Sequence, residues 1–157
     1  MSKQSAGILL YRFGKSELQI FLVHPGGPFW SKKEDGAWSI PKGEFGDEED
    51  SLVAANREFF EETGFTIEGN FIPLAPLRQK GGKLVTAFAI EGSADADTIR
   101  SNEFEMEWPP KSGRKRSFPE VDRAGWFSIQ EARNKILAGQ IPLIDELEKI
   151  LGTKNVF

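Results

Sequence analysis

Glu58, Glu61 and Glu62 stand at i, i+3 and i+4, a spacing that places three carboxylates on one face of a helix. Like charges this close repel one another and weaken the helix that carries them. A divalent cation held among them would reverse that effect, and carboxylate oxygens suit hard cations such as Mg²⁺ or Mn²⁺. The 157-residue chain has no cysteine and a single histidine, His24. Disulfides, thiolate zinc sites, a cysteine nucleophile and any site built on several imidazoles are therefore excluded. The acid–base chemistry that remains is mostly carboxylate.

The neighbours of these glutamates add to the pattern. Arg57 is placed to form a two-pronged bridge to a carboxylate, with Glu49 in the preceding loop as the candidate. Gly43, Gly46 and Gly64 allow backbone shapes or close approaches that a side chain would obstruct. Phe59 and Phe60 lie off the acidic face and are expected to anchor the helix to a core. The alternative is a solvated acidic helix face, which leaves Gly43, Arg57 and Gly64 at their offsets unexplained.

Residues 43–65, GEFGDEEDSLVAANREFFEETGF, resemble the Nudix box, G-x5-E-x7-R-E-U-x-E-E-x-G-U with U apolar, at every specified position. From average residue usage, a chance match anywhere in the chain is on the order of 10⁻⁷ or less, so the resemblance is specific. It implies an α/β fold, the Nudix-type α/β/α sandwich with a mixed β-sheet and the box as loop–helix–loop. It also implies attack of water on one phosphorus of a nucleoside diphosphate linked to another moiety, with Mg²⁺ as cofactor and Mn²⁺ as its substitute. By the same resemblance Glu58, Glu61 and Glu62 match metal-binding carboxylates, and the backbone carbonyl of Lys42 matches a further ligand. Arg57 and Glu49 match the ion pair that orients the catalytic helix. The general base is either Glu58 or a glutamate on a later loop.

Trp38-Ser39-Ile40-Pro41-Lys42-Gly43 resembles the W-x-x-P-K-G stretch of dinucleoside polyphosphate hydrolases and their relatives. Those relatives include RNA 5′-pyrophosphohydrolases and diphosphoinositol polyphosphate phosphohydrolases. Lys42 is then also a candidate to neutralise a substrate phosphate. Pro119-Glu120-Val121-Asp122, followed by Trp126, resembles the segment that supplies an extra glutamate in that branch. Glu120 is accordingly the candidate late ligand or base, ahead of Glu103, Glu105 and Glu107. Lys111, Arg114, Lys115 and Arg116 put four cations in six residues, a candidate clamp for extra phosphates or else a solvated loop. Trp108 or Phe118 is a candidate to stack a base.

The substrate stays open at this level. Dinucleoside polyphosphate hydrolases often carry a tyrosine after the box, whereas the only tyrosine here, Tyr11, precedes it. The readings are a dinucleoside polyphosphate such as Ap4A, the 5′ end of an RNA, a diphosphoinositol polyphosphate, or a nucleotide-sensing module without turnover. Each makes the partner a small nucleotide or polyphosphate, with no membrane and no DNA; Nudix proteins are frequently homodimers.

The elements that position these residues read as one domain over residues 1–157, with 39% hydrophobic and 28% charged residues as in ordinary globular chains. A net charge of −4 lends no support to broad nucleic-acid affinity. The N-terminal apolar run, broken by Tyr11 and Arg12, is too short for a signal peptide or a membrane span, and a cytoplasmic location is expected. Residues 5–13 and 17–24 read as a hairpin turning at Phe13-Gly14-Lys15-Ser16. A Gly/Pro-rich loop then runs to Gly36 and exposes Phe29 and Trp30, which suit a partner surface. Residues 38–41 read as extended, because Ile40 precedes a proline.

A helix is expected over residues 51–63, with Leu52, Val53, Ala55, Phe59 and Phe60 on its apolar side and Gly64 as C-cap. Strands are expected at 71–80, 84–90 and 122–127, with a loop over 91–103. Ser128 and Glu131 form a capping box for a helix over 129–137, and a second helix is expected over 142–151.

Overall fold

The computed structural model describes residues 3–14 and 16–154. Strands β1 (Gln4–Gly14) and β2 (Glu17–Pro25) form the expected antiparallel hairpin; Lys15 of its turn lies outside the described residues. Alternation along both strands decides what they face. Ala6, Ile8, Leu10, Phe21 and Val23 are buried on one side of the sheet, and Leu9, Tyr11, Ile20 and Leu22 on the other. A sheet apolar on both faces needs a layer on each.

Those layers are helical. Helix α1 (Ser51–Thr63) packs Ala54, Ala55 and Phe59 on the first face. Helices α2 (Ile129–Lys135) and α3 (Ile141–Lys154) pack Ala132, Leu143, Ile144 and Leu147 on the second. Between them lies a seven-stranded sheet with the order β4 (Ile72–Pro73), β6 (Leu84–Glu91), β1, β2, β9 (Val121–Ser128). Strand β3 (Lys42–Glu44) pairs with β1, and β5 (Leu77–Arg78) with β6. Strand β1 is parallel to β6 and antiparallel to β2 and β3, so the sheet is mixed. This is the α/β/α sandwich expected.

Caps set the helix limits. The Asp50 carboxylate accepts from the Leu52 and Val53 amides, and Gly64, at φ 81°, ends α1 in the left-handed conformation. The Ser128–Glu131 capping box opens α2 as expected. That helix stops at Lys135, because Ile136 turns extended and buries its side chain in the core. Pro142 lies in the first turn of α3, where its missing N–H costs nothing.

Three expectations are corrected. Phe59 is buried, but Phe60 is 52% exposed and Val53 is exposed too. At 100° per residue the stripe that reaches the sheet is Ala54, Ala55, Glu58 and Phe59, and it leaves Val53 and Phe60 outside. The strand expected over 71–80 is only the two fragments β4 and β5, since Pro73 and Pro76 withhold ladder donors there. The segment read as a loop up to residue 103 leads into a separate hairpin of β7 (Glu103–Glu107) and β8 (Lys115–Pro119). Among the described residues no helix is long and apolar enough to cross a membrane.

Candidate active site

The box glutamates lie at the end of α1 nearest β3. Arg57 grips Glu49 with two bonds, Nε to Oε2 at 2.9 Å and Nη2 to Oε1 at 3.0 Å. Its Nη1 donates to Glu58 at 2.7 Å and lies 3.2 Å from a Glu61 oxygen. One guanidinium therefore ties the loop before the helix to two of the three acidic side chains, and it holds Glu49 below the usual carboxylate range. Glu58 is only 7% exposed. It fits because residue 43 is glycine: a Cβ there would lie 2.0 Å from Glu58 Oε1. Burial, opposed by Arg57 and reinforced by Glu61 and Glu120, pushes the Glu58 carboxyl up.

Glu62 points the other way, into a cleft. Burial, reinforced by Glu58 and Glu120 and opposed by Lys42, pushes its pKa up to about 8. The Lys42 ammonium is pushed down by its own burial and by Lys83, against the pull of Glu62, Glu44 and Glu58. Lys42, Glu62 and Glu120 are the charged lining of a cleft of about 220 Å³. Val23, Pro25, Trp30, Ala37, Ser39, Ile40, Val121 and Leu137 line the rest.

Glu120, at the junction of β8 and β9, is placed by backbone bonds. Its N–H donates to Asn102 O at 2.8 Å, and the Asn102 N–H donates to Glu61 O at 2.7 Å. Its carbonyl accepts from the Gly26 amide at 2.9 Å. Burial and the neighbouring Glu61 charge push its carboxyl up. The helix end, the strand junction and the loop after β2 are thus registered against one another through Glu120.

The remaining candidates are elsewhere. Lys111, Arg114 and Arg116 are exposed on the β7–β8 hairpin, with Trp108 and Phe118. Arg116 stacks over Phe118 at 5.6 Å, and Trp108 meets Phe29 edge-on at 5.5 Å. None of the five lines the cleft. Glu103, Glu105 and Glu107 are exposed on the same hairpin, and Glu107 accepts from the Lys111 and Gly113 amides. Trp30, read from sequence only as a partner surface, does line the cleft. Its place in a Gly/Pro-rich loop, with no periodic pattern around it, carried no signal of that position.

Among the described residues no three carboxylates converge on one ion-sized point, because Arg57 draws Glu58 and Glu61 to itself while Glu62 faces the cleft. The donor set nonetheless fits a hard divalent cation: it consists of carboxylate oxygens, and burial with neighbouring carboxylates pushes the pKa of Glu58 and of Glu62 up. A cation there would relieve that repulsion.

The NUDIX domain family model matches residues 1–147. No curated protein matches the sequence. Similar solved structures include the C. elegans Ap4A hydrolase in a binary complex, 20% identical over 95% of this chain and 98% of that one, with a TM-score of 0.67. The NUDIX domain of Shewanella oneidensis NrtR, complexed with ADP ribose, is 16% identical over 96% and 89% of the two chains, with a TM-score of 0.68. A mutT/nudix family protein from Listeria innocua is 17% identical over 97% and 95%, with a TM-score of 0.64. At these identities the structural likeness is one of fold; it is the family match over most of the length, with the complete box at residues 43–65, that carries the assignment. The chain belongs to the Nudix family of pyrophosphohydrolases.

Proposed function

We propose that this hydrolase cuts a phosphoanhydride bond in a nucleoside diphosphate-linked substrate, with dinucleoside polyphosphates such as Ap4A as the leading class. The observation that carries the reading is the placing of Glu62 and Glu120 with Lys42 in one cleft, with Glu58 close enough for its charge to act on both Glu62 and Lys42. The WSIPKG stretch before the box supports the substrate class, as do relatives of this fold that are an Ap4A hydrolase and a domain crystallised with ADP ribose.

Glu58, Glu61 and Glu62, with the Lys42 carbonyl, would hold Mg²⁺ or Mn²⁺, which supplies charge neutralisation on the phosphates and a more acidic water. Arg57 and Glu49 fix the rotation of the helix that presents those side chains. The Lys42 ammonium offers a positive charge to a phosphate oxygen. Glu120 is the general base: no hydrogen bond or ion pair engages its carboxylate among the described residues, whereas Glu58 is committed to Arg57 at 2.7 Å. Water oxygen bonds to phosphorus, its proton passes to the Glu120 carboxylate, and the bridging P–O bond breaks to release the second phosphate group.

A second reading rests on the exposed cations of the β7–β8 hairpin. Arg116 precedes Glu120 by four residues, about 13 Å at the rise of a strand. That places positive charge within reach of a substrate carrying additional phosphates, a diphosphoinositol polyphosphate or an RNA 5′ end. One panel separates these: diadenosine polyphosphates, ADP-ribose, nucleoside triphosphates, a diphosphoinositol polyphosphate and triphosphorylated RNA, each with Mg²⁺ or Mn²⁺ and with products identified. Glu62→Gln is expected to abolish metal binding and turnover together. No product from any member with either metal would overturn the hydrolase reading in favour of a nucleotide sensor.

A further inference from the structure

The cleft is lined by two chemically different sets of side chains. One is the set of Lys42, Glu62 and Glu120 just described. The other set is apolar, Pro25, Ala37, Val121 and Leu137, together with the indole of Trp30. Trp30 remains 38% exposed, with the Lys33 ammonium 5.9 Å from its ring centroid. Carboxylates that suit a divalent cation, with Lys42 beside them, match the phosphates of a nucleotide, and an indole next to a cation matches its base. A volume of about 220 Å³ falls below the range for a complete small ligand, so the cleft takes one moiety and leaves the remainder of the substrate outside.

The wall is built into the fold. His24 is fully buried at the end of β2. Its Nε2 lies 2.6 Å from Lys33 O, and its Nδ1 lies 2.8 Å from Asp122 Oδ1. The two ring contacts join the loop to β9. Lys33 N–H in turn donates to Trp30 O at 3.0 Å, which places the indole one turn from the bolt. Behind the loop, Gly26 packs so tightly that a Cβ there would lie 1.9 Å from Pro119 O. Phe104 sits against Gly27, and Phe29 meets Trp108. Phe29 thus packs toward the β7–β8 hairpin and leaves Trp30 toward the cleft.

We propose that Trp30 is the surface on which the nucleobase of the substrate stacks, and that His24 is the residue that holds it in position. The inference rests on the nucleotide-hydrolase reading above and names the base-recognition element of that site. It moves the stacking role from Trp108 and Phe118 to the loop after β2.

The test compares wild type, Trp30→Ala and Trp30→Phe on the best base-bearing substrate of the panel and on its abasic counterpart, which has the same phosphates and ribose ends but no base. Binding of AMP without metal is measured separately by calorimetry. Trp30→Ala should raise KM for the base-bearing substrate and the Kd for AMP by about tenfold, while kcat/KM on the abasic compound changes by less than about twofold. Trp30→Phe should recover most of the loss. An equal loss on both compounds, or no change in AMP affinity, would overturn the stacking role and leave the hydrolase reading standing. Should wild type hydrolyse nothing, that reading fails by itself, and the AMP measurement alone decides on Trp30.

Discussion

Gly43 and Glu120 illustrate how much a single position decides. Gly43 is a space requirement, since the nearest Glu58 oxygen occupies the place of a Cβ at 2.0 Å. Gly43→Ala is expected to push the Glu58 carboxylate out of line and lower kcat by about 10²-fold, the scale of an ångström-sized misplacement in a reacting constellation. The change should leave the circular dichroism spectrum in place; unchanged turnover would show that Glu58 tolerates the displacement. Glu120 has a different signature. As a base it should show Glu120→Gln losing about 10²–10⁴-fold in kcat with metal affinity nearly intact. Collapse of metal affinity with a smaller effect on kcat would make it a ligand instead.

At the scale of elements, the loop after β2 and the β7–β8 hairpin carry the proposed contacts to substrate. His24→Asn removes at least one of the two contacts that tie the buried ring to Lys33 O and to Asp122. The expected loss is about 1–3 kcal/mol of stability, read as a fall in Tm of roughly 2–4 °C for each kcal/mol. The kinetic change should be in KM for base-bearing substrates, with kcat largely retained; the reverse split would mean that His24 acts on the Glu120 side of the cleft. For the hairpin, Arg114→Ala with Arg116→Ala should raise KM for longer polyphosphates more than for short ones. An equal effect on both would leave the cations as a solvated face.

These two elements were also the ones least readable in the chain. The β1–β2 hairpin, α1 and the capping box of α2 announce themselves through periodicity and cap residues, because each buries a continuous stripe. Glu103 to Glu107 also alternate, but Lys115 to Pro119 do not, and the pair stands apart from the main sheet. Little apolar area marks it against the small polar residues before it. Arg57, Glu49 and the three box glutamates were legible because their spacing is local. The approach of Trp30 to Glu62 and Glu120 depends on His24 reaching Asp122 across 98 residues, and no local pattern records such a contact.

On the scale of the whole molecule, the carboxylates divide into two groups with opposite effects on stability. Glu34, Glu44 and Glu49 are held low by Arg123, Lys83 and Arg57 respectively. Their contribution is present above the unfolded value of 4.5 and is lost as pH falls through their depressed folded values. Glu58, Glu62 and Glu120 are shifted up, Glu62 to about 8. For Glu62 the folded chain binds the proton more tightly, so its contribution is fully present below 4.5 and disappears as pH rises through 8. With chelator present, the protein should therefore be most stable in weakly acidic solution and lose Tm between about pH 5 and pH 8. Saturating Mg²⁺ should raise Tm most at the alkaline end, because it binds the ionised carboxylates of the folded state and stabilises that state by mass action. Glu62→Gln should flatten the alkaline decline in chelator and abolish the Mg²⁺ response. A decline that keeps its slope in Glu62→Gln would assign the repulsion to Glu58 and Glu120 and remove Glu62 from the centre of the cation site.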